Sequence, residues 1–419
     1  MIAKILIIFI LYSLLFRLEL IVYPTSVSVL YGVLGFFIYI LTNNFRRKFV
    51  LHYHSKFPSC VKYVKLGLPI LIVALVSAFV NPSTDYYFIK FFFSIILTYF
   101  SAYIIAFLFF HVYSEISFER IVTYIVICTY IYFMLAIINF VIPSFGSMFL
   151  SLMKLEEGTA DAIERVINYR FVAFGISFFN GGVVIGFINL LIALYVSFVE
   201  KNIRKQSIFI LSILIFAILG LFIARTSMIG SGLAGIVLLF FFFNKHKKIL
   251  FSVIICFAAL IIALLNFFSS IMREYEEMFN WAFELFISYK ESGQASASSL
   301  NYMLAMYDIV PNNFKTWIIG DALWLDPKGS GFYMNTDIGL LRYIWYFGIV
   351  GLLIMFLFNI DYLKLIFSKE KLGKNSQYFI VFLFIYVVIL LFKGAADLLY
   401  LSSFFFFCSS VISNNKKFL

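Results

Sequence analysis

The chain has 419 residues, 63% of them hydrophobic, with 56 phenylalanines and a formal net charge of +11. Only 13% are charged, against about 25% in a soluble domain, which excludes a solvated globular enzyme. Four cysteines (Cys60, Cys128, Cys256, Cys408) show no pairing or metal spacing, and no GxxxxGK[ST] or GxGxxG run is present.

Apolar runs recur from one end to the other. A bilayer core about 30 Å thick takes roughly 20 helical residues to cross, and continuous rather than alternating runs read as helices. In chain order the predicted spans are 4–16, 24–42, 66–81, 86–111, 118–142, 172–199, 207–223, 228–243, 249–270, 337–358, 378–392 and 398–412. The fold class expected is therefore all-α: a polytopic membrane protein with about 12 transmembrane helices in a single domain over 1–419. The opening MIAKILIIFILYSLLF has the look of a signal sequence, yet no small-residue cleavage site follows, so it reads as a retained first helix.

Lysine and arginine in the short loops set the expected orientation. The basic loop 43–65 carries six basic residues and no acid, and EKNIRKQ, NKHKK, DYLKLIFSKEKLGKNSQ and NNKKFL are basic too. With twelve alternating spans all five share one side, which is then cytoplasmic and holds both termini. The positive charge is thus a topology signal directed at membrane lipid, and no nucleic-acid partner is expected.

Two loops on the other side are long, at about 143–171 and 271–336. In the first, Ala160, Ile163, Val166 and Ile167 recur at helical spacing. In the second, Met272, Tyr275, Phe279, Phe283 and Phe286 form an aromatic face opposite acids, as in a helix lying at an interface. SGQASASSLN (292–301) reads as a connector, and Gly329, Ser330 and Gly331 as a turn.

The chemistry-bearing residues fall at the same end of the spans. Arg225 occupies the tip of FIARTSMIG, Arg170 starts span six, Arg273 opens the large loop, and Asp337 and Arg342 start span ten. Gly175, Gly181, Gly182, Gly230, Gly232 and Gly235 flank these arginines and permit close helix packing. A charge as deep as Arg342 needs an anionic partner. Arginines at a membrane face suit phosphate or diphosphate, because the planar guanidinium binds two oxygens at once and stays charged.

In this arrangement the chain resembles the bacterial O-antigen polymerases (the Wzy type), which are related to the O-antigen ligases. The fragments that carry the resemblance are Arg170 followed by Gly175 and Asn180, RTSMIG at 225–230, GDAL at 320–323 and NTDIGLLRYIWYFGIVG at 335–351. The resemblance implies a glycosyltransferase with two long periplasmic loops in the inner membrane. It implies an undecaprenyl-diphosphate-linked glycan donor and acceptor, and a chain-length regulator protein as a further partner. The ligases carry a His-Asn pair where this chain has Thr336-Asp337, which favours polymerase over ligase. The expected roles are Asp337 as base, ahead of Glu277 and Asp321, with Arg225 and Arg170 at the departing diphosphate. Arg342, Arg273 and Asn180 are expected to bind substrate, with no metal and no cofactor. Helix capping is the other reading of Asp337, and lipid anchoring the other reading of Tyr289, Tyr302, Trp317, Trp324 and Tyr333 beside sugar stacking. A lipid-linked oligosaccharide flippase is the alternative of a different class.

Overall fold

The computed structural model describes residues 2–23, 25–53, 57–154, 163, 166, 169–243, 246–247, 251–252, 254–255, 258, 276–294, 296–327 and 331–408. Its α-helices are α1 (Ile2–Leu15), α2 (Val27–Leu41), α3 (Asn43–Tyr53), α4 (Cys60–Val80), α5 (Tyr87–Tyr113), α6 (Phe118–Val141) and α7 (Pro143–Leu152). They continue as α8 (Phe178–Phe198), α9 (Ile203–Ile223), α10 (Ser227–Val237), α11 (Glu276–Ser292), α12 (Ser298–Met306) and α13 (Phe314–Ile319). The last are α14 (Gly339–Ile366), α15 (Lys369–Leu372), α16 (Ser376–Leu391) and α17 (Leu399–Ser403). Among the described residues the only β pairing is two isolated bridges, Leu20–Met153 and Leu325–Phe332.

Among the described residues, six helical stretches are long and apolar enough to cross a membrane, or seven if α2 and α3, bent by 79°, form one span. The protein is therefore an all-helical membrane protein. Its described helices number fewer full-length spans than the twelve expected. The reason is length: α1 has 14 residues, about 21 Å at 1.5 Å each, short of a 30 Å core. Similarly, 398–412 holds only the five-residue α17 before turns at 404–407. The expected span 249–270 lies almost wholly outside the described residues. The basic loop is partly helical, with α3 burying Phe45 and Phe49, and α7 occupies the start of the loop expected at 143–171.

The chain divides into two compact units. The first comprises residues 1–27 and 117–296 and is centred on α8, most of whose residues are buried. Helices α9 and α10 lie against α8, and α10 meets it so closely that a Cβ on Gly230 would overlap the Gly186 backbone. Asn189 donates to Ser231 Oγ at 2.8 Å across that contact. By contrast, Gly232 and Gly235 have open space, so of the three glycines Gly230, Gly232 and Gly235 only Gly230 serves close packing. Helix α1 packs on α6 through Phe16 stacked on Tyr132 at 4.1 Å.

Span six starts at Phe178 rather than 172, because 169–177 is irregular chain. Its backbone groups are satisfied by neighbours, as burial demands. Asn139 and Tyr12 donate to the Val172 and Phe174 carbonyls at 2.5 and 2.6 Å, and Tyr132 donates to Ile176 O at 2.7 Å. The Phe171 amide donates to Phe222 O at 2.9 Å, tying this segment to the end of α9.

The second unit comprises residues 28–116 and 297–419. In it α4 packs on α5 and α14, while α13 and α16 pack on α14. Helix α14 is broken at Phe347 and Gly348, where Gly348 takes φ +68°. The break exposes carbonyls that a regular helix would satisfy four residues on, and in lipid an unsatisfied group costs several kcal/mol. The GDAL segment supplies partners: Asp321 N donates to Trp345 O at 2.7 Å and Ala322 N to Tyr346 O at 2.9 Å. From α4, Ser77 Oγ lies 2.8 Å from both Ile319 O and Tyr346 O, and Asn81 Nδ2 donates to Gly320 O at 2.9 Å. A Cβ on Gly348 would overlap the Ile318 carbonyl, so only glycine lets α13 approach the break.

Candidate functional site

Arg225 stands on a three-residue connection. Helix α9 ends at Ile223, Ala224 is extended, and α10 begins at Ser227. So tight a turn leaves the Arg225 backbone little freedom, and its side chain is only 10% exposed. Its Nη1 donates to Glu284 Oε2 of α11 at 2.6 Å, a charge-assisted bond. Arg170 reaches the same helix from the irregular segment 169–177. Its guanidinium carbon lies 4.2 Å from the centre of the Trp281 ring and 5.2 Å from that of Phe178. Arg225 lies 5.2 Å from the same indole.

Trp281 therefore carries two guanidiniums from segments far apart in sequence, each drawn to the negative face of the ring. The aromatic face of α11 holds it there, with Phe279 and Phe283 against Phe222 at 5.5 and 6.4 Å. Arg170 Nη2 donates to Ile223 O at 3.3 Å, while its Nε is buried without a hydrogen-bond partner. Burial, reinforced by the Arg225 charge, lowers Arg170 to about 10, which still leaves it charged at neutral pH. The two guanidiniums and the Glu284 carboxylate thus gather around one indole ring. Asn180 is exposed in the first turn of α8. Arg273 lies outside the described residues, as do Met272 and Tyr275, whereas Glu277 is exposed on α11.

The second unit holds the other expected residues. Arg342, 7% exposed, is sandwiched between the rings of Trp324 and Phe332 at 3.7 and 3.3 Å. Its Nε and Nη2 are buried and have no hydrogen-bond partner among the described residues. The anionic partner expected for Arg342 is thus replaced by two aromatic faces. Asp337 lies in the chain before α14 and Arg342 within it, and the two interact through their charges without a direct ion pair among the described residues. Trp324 is neither a lipid anchor nor a sugar platform here, because Arg342 and Tyr87 cover its faces and it is 4% exposed.

Asp337 precedes α14 without capping it. The cap residue is Ile338, and it is the Thr336 hydroxyl that accepts the Ile338 amide at 3.3 Å. The Asp337 amide donates to Met306 Sδ at 3.3 Å over the cluster of Met306, Ile338, Leu341 and Trp345. Desolvation raises the Asp337 carboxyl above its ordinary value, and the Arg342 charge opposes the rise. Asp321 is occupied structurally: it accepts from Thr316 Oγ1 at 2.6 Å and from Tyr333 Oη at 3.3 Å. Asp85, not singled out in the sequence, accepts the Trp324 and Leu325 amides at 2.7 and 3.2 Å and so fixes the stretch that covers Arg342.

The sequence also gave no prominence to Trp281 and Glu284. The aromatic stripe of α11 was legible at three- and four-residue spacing, but Trp281 lies off that stripe. A tryptophan beside an acid three residues on, in a loop facing arginine-bearing turns, is the signal that would have found them.

Comparisons with protein-family models, with curated proteins and with solved structures return no match to this chain. The functional reading rests on the residues themselves.

Proposed function

We propose that the protein is a glycosyltransferase of the O-antigen polymerase type, acting on undecaprenyl-diphosphate-linked repeat units at the periplasmic face of the inner membrane. The proposal includes twelve spans with both termini cytoplasmic. The observation that carries it is the gathering of Arg170 and Arg225 on Trp281, with Arg225 held by Glu284. Two guanidiniums gathered on one indole are the chemistry that receives a diphosphate.

In the reaction the acceptor sugar hydroxyl attacks the donor anomeric carbon. The new C–O bond forms as the bond to the diphosphate breaks, and the electron pair leaves on undecaprenyl diphosphate. Arg170 and Arg225 stabilise the charge that grows on it. The acceptor proton goes to a general base, for which the sequence offers Asp337, an exposed carboxyl whose pKa is raised by desolvation. One base and no covalent intermediate give inversion at the anomeric carbon, and a product that retains the donor configuration would overturn this step.

The test is a lipopolysaccharide banding gel of a strain lacking the gene, complemented with the wild-type chain or with Arg225→Ala. The polymerase reading expects core plus a single repeat unit in both the deletion strain and the Arg225→Ala strain. Loss of even the single unit overturns it. A flippase is the second reading, favoured by the broken helix α14, since interrupted helices line the substrate path in many transporters. It expects the lipid-linked glycan to be stranded on the cytoplasmic face.

A further inference from the structure

Within the second unit, the Lys/Arg-rich elbow forms an open cavity of about 660 Å³. It is lined by Tyr39 of α2, Arg46, Arg47, Val50 and Leu51 of α3, and the turn 57–61 that opens α4. The volume lies within the roughly 300–1,000 Å³ of ligand-binding pockets. Its lining sorts by chemistry. One part is cationic, from Arg46 and Arg47, and the rest is apolar, from Val50, Leu51, Phe57, Pro58 and Val61. No acidic side chain lines it, and the whole segment 43–65 contains none, so no carboxylate of that segment neutralises the two guanidiniums.

The walls are held in shape. Arg46 lies over the Tyr39 ring at 4.1 Å and donates to the Tyr39 carbonyl and to Asn43 Oδ1, which aims the guanidinium and leaves further N–H groups for a ligand. Tyr99 Oη donates to Pro58 O at 2.8 Å, and Phe57 packs among Phe45, Phe49 and Tyr103 at 5.1–6.2 Å. The elbow itself is the 79° bend between α2 and α3. It places a basic amphipathic helix, with Phe45 and Phe49 buried, directly after an apolar one. That is the geometry of a helix turning from the hydrocarbon into the headgroup layer.

We infer that this cavity is a binding site for an anionic phospholipid, with the lipid phosphate on Arg46 and Arg47 and the acyl chains along Val50, Leu51 and Val61. A headgroup phosphate supplies the counter-charge the arginines lack, and its chains cover side chains otherwise exposed: Leu51 is 71% and Val61 61% exposed. Basic pockets beside membrane helices recognise lipid headgroups in this way. None of Arg170, Arg225, Asp337 and Arg342 lines the cavity, so the inference stands whether or not the protein is a polymerase.

The test uses the full-length protein in detergent, titrated with phosphatidylglycerol or phosphatidylcholine and read by native mass spectrometry. Phosphatidylglycerol is expected to be retained at least about tenfold better, and Arg47→Gln combined with Arg46→Gln is expected to abolish the preference. Arg47→Gln alone, which touches an exposed side chain and leaves the Tyr39 contacts intact, is expected to weaken retention by several-fold. Val61→Trp, which fills the cavity without changing charge, is expected to reduce retention as well. Lys201→Gln with Arg204→Gln removes equal charge elsewhere and is expected to leave retention unchanged. Equal retention of the two lipids, an equal loss in the Lys201/Arg204 control, or displacement of the lipid by an equimolar amount of inorganic phosphate would each overturn the assignment.

Discussion

Arg225 and Glu284 form an ion pair at 2.6 Å between the turn that joins α9 to α10 and the amphipathic helix α11. Glu284 aims the guanidinium, and the short turn allows it few other directions. Arg225→Ala is expected to lower the formation of polymerised product by at least about a hundredfold while the protein still accumulates in the membrane. Arg225→Lys should recover it poorly, since an ammonium lacks the planar fork. A well-expressed alanine variant with normal activity would sink the diphosphate role.

Trp281 serves both Arg170 and Arg225, so its loss should cost more than one cation–π contact. At about 0.5–2 kcal/mol for each of the two contacts, Trp281→Ala is expected to lower activity by roughly fivefold to nearly a thousandfold. Trp281→Phe keeps a ring face and should retain most of it. Initial rates with purified protein and lipid-linked donor check both variants. Equal rates for alanine and phenylalanine would mean that the plate does not orient the arginines.

Asp337 and Arg342 couple electrostatically, which gives a pH test. The carboxyl is raised by desolvation and lowered by Arg342. If Asp337 is the base, activity falls as pH drops through its pKa. Arg342→Gln removes the lowering influence, so the acid limb of the pH–rate profile moves to higher pH. Arg342→Lys keeps the charge and should leave the limb near its original position. Asp337→Asn is expected to remove the limb along with activity, and an unchanged acid limb in Arg342→Gln would argue against Asp337 as base.

Two glycines in one helix should respond oppositely to the same substitution. Gly230→Ala drives a methyl into the Gly186 backbone and is expected to destabilise by about 1–3 kcal/mol, as overpacking does. Gly232→Ala meets nothing within 4 Å and should be neutral or stabilise by up to about 1 kcal/mol through helix propensity. Thermal unfolding in detergent distinguishes them. Gly348→Ala, with a positive φ and the Ile318 carbonyl in the way, is expected to be the most damaging of the three.

Hydrophobicity alone determined that the chain is helical and membrane-embedded, because a run of apolar residues has one low-energy state in lipid whatever surrounds it. For the same reason α4, α5, α6, α9 and α14 begin within about six residues of where the apolar runs predict. The prominence of Arg170, Arg225, Asp337 and Arg342 was also legible, since charge at a span end is costly and so stands out against its neighbours. What each of them touches was not. The pairing of Arg225 with Glu284, 59 residues on, and the seat of Arg342 between Trp324 and Phe332 come from contacts across elements. The break in α14 is likewise tertiary. Residues 337–358 read as one continuous apolar span, and the interruption is affordable because Asp321 N, Ala322 N and Ser77 Oγ reach the carbonyls of Trp345 and Tyr346. Periodicity reports what a segment prefers by itself, whereas hydrogen bonds and ion pairs between distant segments depend on which surfaces the folded chain brings within about 3 Å of one another.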